Sequence, residues 1–442
     1  MNRINKAIEK HTKLILDAQD YIWKNAETGY REVKTTAYMG KIFEDLGYEV
    51  KYAEGITGFY TTLDTGKEGP TVLILGELDS LICHDHPDAV EGTGAVHCCG
   101  HSAQCAALVG IAASLKEEGM TDGLCGKIML CAVPAEELIE IEYRDELMKE
   151  GKIKYYGGKP EFMSRGYFDD VDIAFMVHTA SGDKIDIRRG SIGCIAKRIT
   201  YKGKSAHAGG SPWQGVNALY AATNGLNAVN SIRETFRDSD CIRFHPIVTK
   251  GGNAVNAIPD TVIIESYVRG MTFDAIKDAN KRVNRALTGA ALSVGANVDI
   301  TDKAGYAPHT NSTEMMEIAR DAAEAIGEPY SYTERIGTGC TDMGDMSVVM
   351  PIVHPYMYGA VGTSHGADYY IADPMKACVG SAKWQLVMLK LLLENGAERA
   401  KTVIDNFDPP FKSIKEYLEY MDSLQNSGER ITYTDEGAAV RL

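Results

Sequence analysis

Three short apolar runs end in residues that do chemistry, and no other feature of the chain constrains its fold as tightly. TVLILG (Thr71–Gly76) runs into Glu77, Leu78 and Asp79, and KIMLCAV (Lys127–Val133) into Pro134, Ala135, Glu136 and Glu137. DIAFMV (Asp172–Val177) runs into His178. Unbroken runs of this length, rich in branched residues, fit strands buried on both faces of a parallel sheet. Helical patterns lie between them, such as QCAALVGIAASLKEE (Gln104–Glu118). Alternating strand and helix predict an α/β sheet, and open α/β sheets bind ligands beyond the carboxyl ends of their strands. The polar residues collect at those ends, which places a functional site there.

At 442 residues the chain exceeds one ordinary core, so two domains are expected. From about Gly193 the texture changes. CIAKRITYKG alternates like a half-exposed strand, and SPWQGVNALYAATNGLNAVNSI reads as a helix with Pro212 near its start and Ser211 as N-cap. IRFHPIVTKGG, DTVIIESYVRG, the helical TFDAIKDANKRVNRALTGAA and SVGANVDIT then complete a strand–helix–strand–strand–helix–strand order. That is the split βαβ, ferredoxin-like arrangement. Residues 192–301 therefore read as an inserted domain, residues 1–191 with 302–395 as one discontinuous domain, and residues 396–442 as a C-terminal extension of helical character. The charged stretch Leu138–Gly166 reads as a surface elaboration, with a part in a specificity pocket as the alternative.

A formal charge of −15 makes a surface that repels phosphate backbones and anionic lipids, so neither nucleic acid nor membrane is an expected partner. The N-terminal MNRINKAIEKHTKLILDAQDYIWK reads as an amphipathic helix, not a signal peptide. No run approaches the ~18 apolar residues that cross a bilayer. The ten cysteines are irregularly spaced, and a cytoplasmic chain with reduced thiols is expected.

The densest reactive cluster is His97-Cys98-Cys99-Gly100-His101-Ser102. A thiolate and an imidazole two positions apart can reach one metal, and that donor pair favours zinc over magnesium or calcium. Alone, the cluster fits a tight glycine turn with buried cysteines equally well; a structural zinc knot would need a second pair, such as His84 and His86. Adjacent acids like Glu136 and Glu137 usually sit on a solvated surface. Their position after Pro134, at the mouth of a buried strand, favours one as a metal ligand and its neighbour as a base. His178 alone reads as a satisfied core histidine as readily as a ligand. Asp79 alone is a turn residue or a carboxylate that orients a ligand.

Together these stretches resemble the M20 family of metallopeptidases and amidohydrolases, in the branch of the aminobenzoyl-glutamate hydrolases and aminoacylase-like enzymes. The resemblance runs in family order through LGELDSL (Leu75–Leu81), HCCGHS (His97–Ser102), PAEE (Pro134–Glu137), MVH (Met176–His178) and GKSAHAG (Gly203–Gly209). It continues through GGNAVNAIPD (Gly251–Asp260), YVRG (Tyr267–Gly270), GCTDMGDMS (Gly339–Ser347) and GTSHGAD (Gly362–Asp368).

The resemblance implies an α/β fold: a zinc-peptidase-like catalytic domain with a mixed, largely parallel sheet, plus an inserted ferredoxin-like α+β lid and dimerisation domain. It implies two divalent metal ions, zinc or manganese, bridged by Cys99, with His101 and His178 on the first and Glu137 and His365 on the second. Glu136 would be the general base and Asp79 a supporting acid. Glu77 stands where other branches place a histidine ligand, and His101 would take that ligand's place. His207 would polarise the scissile carbonyl, while Asn256 and Arg269 would hold the substrate's backbone or carboxylate. The implied activity is hydrolysis of an amide in a small N-acyl amino acid, an aminobenzoyl-glutamate-like conjugate or a dipeptide with a free carboxylate, by a homodimer or higher homo-oligomer. Ser102 departs from the Asp or Asn that commonly follows CGH. Two rival readings are a hydrolase using Cys99 as nucleophile and a catalytically inactive binding protein on the same scaffold.

Overall fold

Thr71–Glu77 and Lys127–Val133 carry branched and apolar residues almost without a break, and beyond its first residue each strand is buried throughout. Such strands are stable only inside a sheet covered on both faces. In the computed structural model, which describes Met1–Leu442, they are its two central strands. The order across the sheet is Lys51–Tyr52, Phe59–Asp64, Lys127–Val133, Thr71–Glu77, Ile173–Phe175, Ile352–Val353. The last four run parallel and the first two join antiparallel, so the sheet is mixed and largely parallel. In the parallel register Glu77 lies beside Val133 and Ile74 beside Phe175, so the chain leaves the three strands at one edge.

Helix His101–Leu115 is buried at every residue, as expected of a helix that is apolar all round. It packs on Thr71–Glu77 and against the helices Asn2–Lys24 and Ser381–Leu393. Asn2–Lys24 buries Ile4, Ile8, Ile15 and Ile22 along one stripe. Gly110 permits the close crossing: a Cβ there would lie 2.5 Å from Cδ1 of Ile15. The helix begins at His101, three residues before the start expected from its apolar pattern, because Gly100 turns the chain with φ +92° directly ahead of it.

The chain divides into two units, one made of residues 1–190, 309–337 and 341–415, the other of residues 191–308, 338–340 and 416–442. The second holds an antiparallel sheet in the order Arg243–Phe244, Thr261–Gly270, Gly193–Lys202, Asn297–Ala304, with helices Ala218–Ile232 and Phe273–Ser293 packed on it. That strand order is the ferredoxin-like one. Thr261–Gly270 alternates half-buried and buried residues along its whole length, the period of a strand with one covered face. Ile199, Tyr201, Val262, Ile264, Val283, Leu287, Val298 and Ile300 fill the core beneath.

Three local expectations are corrected. Ser211 caps no helix through its side chain: Pro212–Gln214 is a single 3₁₀ turn, and Gly215 returns to extended backbone. Asn217 is the N-cap instead, its Oδ1 accepting from the N–H groups of Leu219 and Tyr220. Residues 396–442 are not purely helical: after helices Glu398–Asp405 and Ile414–Leu424 comes a hairpin of Ile431–Thr434 with Gly437–Val440. The stretch Leu138–Gly166 is no surface elaboration. It buries Arg144, Tyr155, Tyr156, Lys159 and Phe162, and Gly158 approaches the Pro134 carbonyl so closely that a Cβ would lie 1.7 Å from its oxygen.

Candidate metal centre

The strand ends deliver Glu77 and Asp79, Glu136 and Glu137, and His178 to one place. Helix His101–Leu115 adds His101 at its first residue, with Cys99 just before the glycine turn. The strand His178–Ser181 pairs in parallel with Tyr356–Val361, which leads into the loop that carries His365. The His365 N–H donates to the Cys98 carbonyl at 2.9 Å and ties that loop to the cysteine turn. The donor atoms of Cys99, His101 and His178 lie within 4.8 Å of one another, and so do those of Cys99, Glu137 and His365. Two ligand triads thus share one sulfur. Glu77, His101 and Glu136 form a third group by the same measure.

The imidazoles are oriented by the backbone. His101 Nδ1 faces the Asp79 carbonyl at 2.9 Å, and His178 Nδ1 faces the Thr179 carbonyl at 2.8 Å. Only an N–H can bond a carbonyl, so both neutral rings present Nε2 as a lone pair, the arrangement that fixes metal-ligating histidines. His178 Nε2 is 3.4 Å from Cys99 Sγ, and His365 Nε2 is 3.5 Å from Glu137 Oε1. His101 Nε2 and Glu137 Oε1 are buried without a hydrogen-bond partner, the state of atoms whose partner is an ion.

The electrostatics also call for a cation. Burial, with Glu77 and Glu137 adding to it, pushes the Glu136 carboxyl well above the carboxylate range. Burial and Glu137 push the Cys99 thiol well up. Although burial opposes it, His101 is held well above its usual value by Cys99, Glu77 and Asp79. A proton on that ring answers the same surrounding negative charge that a divalent ion would. Thiolate, imidazole and carboxylate donors together suit zinc and other first-row transition ions. The residues therefore fit a pair of divalent ions.

Asp79 is fully buried; its Oδ2 accepts from the Glu137 N–H at 2.8 Å, and its Oδ1 lies 3.4 Å from His101 Nδ1. His86 belongs to no metal group: its Nε2 contacts the Tyr369 carbonyl at 3.0 Å, its Nδ1 accepts from the Asp88 N–H, and the ring packs near Trp23 and Tyr370. Ser102 Oγ is buried without a partner, in keeping with the hydrogen bond an Asp or Asn would have supplied.

His207, Asn256 and Arg269 belong to the second unit. The N–H groups of Gly209 and Gly210 donate to His207 Nδ1, so the neutral ring carries its proton on an exposed Nε2. Asn256 is beside it, its carbonyl accepting from the Ala208 N–H at 2.9 Å. Arg269 lies opposite Cys194, at the far end of strand Thr261–Gly270 from the Asn256 loop.

Sequence reasoning missed four residues. Lys159 Nζ donates to Glu77 Oε1 at 2.5 Å and to Asp342, and all three are buried. Burial alone would raise Glu77, but Lys159 and His101 outweigh it and hold the carboxyl at about 2. The paired glycines before Lys159 were its one sequence signal, marking a close backbone approach. Gln104 bonds the other Glu77 oxygen at 2.9 Å. Glu32 accepts from the Ala135 N–H at 2.9 Å and from the Thr57 hydroxyl at 2.5 Å. It thereby steadies Ala135, a residue at φ +57° just before the two acids.

The chain matches the profile of peptidase family M20/M25/M40 over residues 73–388. It is 28% identical to the Xaa-Arg dipeptidase of Mus musculus over 295 residues, 64% of this chain and 62% of the dipeptidase. The matched part thus spans less than two thirds of that relative. Identity is also 28% to the N-acetyl-L-cysteine deacetylase of Bacillus subtilis, over 70% of this chain and 72% of the deacetylase. The fold matches the crystal structure of B. subtilis YxeP, described as a dinuclear metal binding peptidase, with a TM-score of 0.64 at 20% identity, covering 88% of this chain and 99% of that one.

Two outcomes follow from this geometry. At Gly100 a Cβ would sit 2.4 Å from the Tyr369 hydroxyl on a left-handed backbone. Gly100→Ala should lower stability by about 2–4 kcal/mol in denaturant titration, and should weaken metal uptake by moving Cys99 against His101. Burial raises Glu32 from an ordinary 4.5 to about 8, with Asp79 adding to the rise. A raised carboxyl contributes stability that is fully present below the unfolded value and lost as pH climbs towards the folded one. The Tm of Glu32→Gln should therefore gain on that of wild type between pH 5 and pH 8; a constant difference across that range contradicts a protonated Glu32.

Proposed function

The chain belongs to peptidase family M20/M25/M40, and on that footing we propose that it is a dinuclear metal-dependent hydrolase of an amide bond in a small N-acyl amino acid, conjugate or dipeptide. The observation that carries the reading is the pair of ligand triads sharing Cys99. Cys99, His101 and His178 would hold one divalent ion, and Cys99, Glu137 and His365 the other, with zinc or manganese the best suited. When bound, such ions acidify a water molecule and polarise a carbonyl.

Glu136 takes the proton of the attacking water and returns it to the departing amine. A base that must also act as an acid works best with a raised pKa, which its burial beside Glu77 and Glu137 supports. Asp79 holds His101 and the Glu137 backbone in place. His207, with its proton on an exposed Nε2, donates to the carbonyl oxygen as charge develops there. Asn256, beside His207, would hold the substrate's backbone, and Arg269, at the far end of its strand, would hold a carboxylate only on a substrate whose Asn256 comes from another copy of the chain. The raised Cys99 thiol speaks against a free thiolate nucleophile, because burial and Glu137 keep the proton on sulfur unless a cation displaces it.

The second unit would act as lid and dimerisation domain. Its surface exposes Trp213, Tyr220, Ile247, Val248 and Val255, with Trp213 at 77% and Val255 completely open. Strand Ile247–Lys250 is exposed at every residue. Apolar residues on an open strand are what an interface between copies would cover.

Glu136→Gln should keep two metal equivalents by elemental analysis while amide hydrolysis falls by ~10²–10⁴. Loss of metal together with activity would make Glu136 a ligand. EDTA should abolish hydrolysis by the wild type, whereas activity that survives EDTA and dies with iodoacetamide belongs to a cysteine nucleophile. In analytical ultracentrifugation the wild type should sediment as a dimer and Ile247→Asp as a monomer; a monomeric wild type removes the dimerisation role.

A further inference from the structure

Three donor groups crowd a site proposed for two ions, and His101 belongs to two of them. Through Nε2 it can join Cys99 and His178, or it can join Glu77 and Glu136. Glu77 Oε2 is 3.3 Å from that nitrogen and Glu136 Oε2 is 3.9 Å from it. An ion seated in the second group would coordinate Glu136 and end its use as a base. Some feature of the chain must make that seat unattractive.

The feature is a cation already built into the protein. The Lys159 side chain is fully buried. Its ammonium bonds Glu77 Oε1 at 2.5 Å and also Asp342, whose other oxygen accepts the Lys159 N–H at 3.0 Å. Gln104 engages Glu77 Oε2 at 2.9 Å. Glu77 is thus neutralised and held from both oxygens, and a divalent ion on it would face a fixed positive charge across one carboxylate in a site shielded from water. Lys159 is delivered by the segment whose Gly158 fits against the Pro134 carbonyl, two residues before Glu136, so ammonium and base share one support.

We propose that Lys159 is a positioning residue that acts through Glu77. It denies metal the Glu77–His101–Glu136 seat, commits His101 to the Cys99 and His178 group, and so keeps Glu136 out of coordination. This rests on the dinuclear reading above, and the test separates the two.

Apo protein is titrated with cobalt(II), following stoichiometry and the thiolate-to-cobalt charge-transfer absorption, which reports Cys99 coordination. Wild type takes up two ions and develops the sulfur band; fewer than two ions, or no band, refutes the dinuclear reading itself. Lys159→Met loses sulfur-band intensity per bound ion as cobalt moves to the carboxylate group, and Lys159→Met/Glu77→Gln recovers the wild-type spectrum. A folded Lys159→Met with the wild-type spectrum overturns the proposal. Should the single variant not fold, Lys159→Met/Asp342→Asn removes one charge of each sign and leaves Glu77 untethered. The same loss of sulfur absorption then supports the proposal, and a wild-type spectrum overturns it. Glu77→Gln with Lys159 intact keeps two ions and the wild-type spectrum; loss of an ion there shows that Glu77 ligates despite Lys159 and also overturns it.

Discussion

Burying carboxylates without enough positive charge is the constraint on which the rest of the site depends. Glu77, Asp79, Glu136, Glu137 and Asp342 are all buried around one place, and Lys159 is the buried ammonium among them. An isolated ionised carboxylate in a protein interior either finds a counter-charge or takes up a proton. The chain answers both ways. Lys159 holds Glu77 down at about 2, whereas burial leaves Asp342 up at about 6 and pushes Glu136 well above the carboxylate range. What those answers leave open is the charge of the ions that the two triads meeting at Cys99 would hold.

The parallel sheet makes this concentration of charge attainable. Its central strands are covered on both faces, so polar residues are excluded from their interiors and appear where the strands end. Register places Glu77 beside Val133, so two acidic corners leave the sheet together. The fully buried helix His101–Leu115 then sets His101 against both. The His101 and His178 rings are each aimed by one backbone carbonyl, and the Pro134–Glu137 corner is held by two carboxylates: Asp79 accepts from the Glu137 N–H and Glu32 from the Ala135 N–H.

The parts legible in the sequence were those with local signals. Apolar runs ending in acids or histidine marked the strands and their functional ends, and the alternation from Gly193 onwards marked the antiparallel sheet of the second unit. The groups Cys99, His101, His178 and Cys99, Glu137, His365 coincide with the two ligand sets that the family resemblance implied. Lys159, Asp342 and Glu32 were not legible, because the pairing of Lys159 with Asp342 spans 183 positions and the bond from Ala135 to Glu32 spans 103, and local pattern does not show which distant residues meet. Leu138–Gly166 misled for the same reason. Its many charges read as solvated, yet Arg144 lies buried, donating to the Glu137 and Tyr156 carbonyls. The misplaced cap at Ser211 had a different cause: Gly215 interrupts a pattern that propensity alone would have continued.

Anomalous diffraction from crystals grown with zinc or manganese tests the central claim most directly. The account predicts two peaks sharing Cys99 Sγ, one completed by His101 and His178 and the other by Glu137 and His365, with Glu136 bound to neither. A single peak, or ions held away from Cys99, would contradict it.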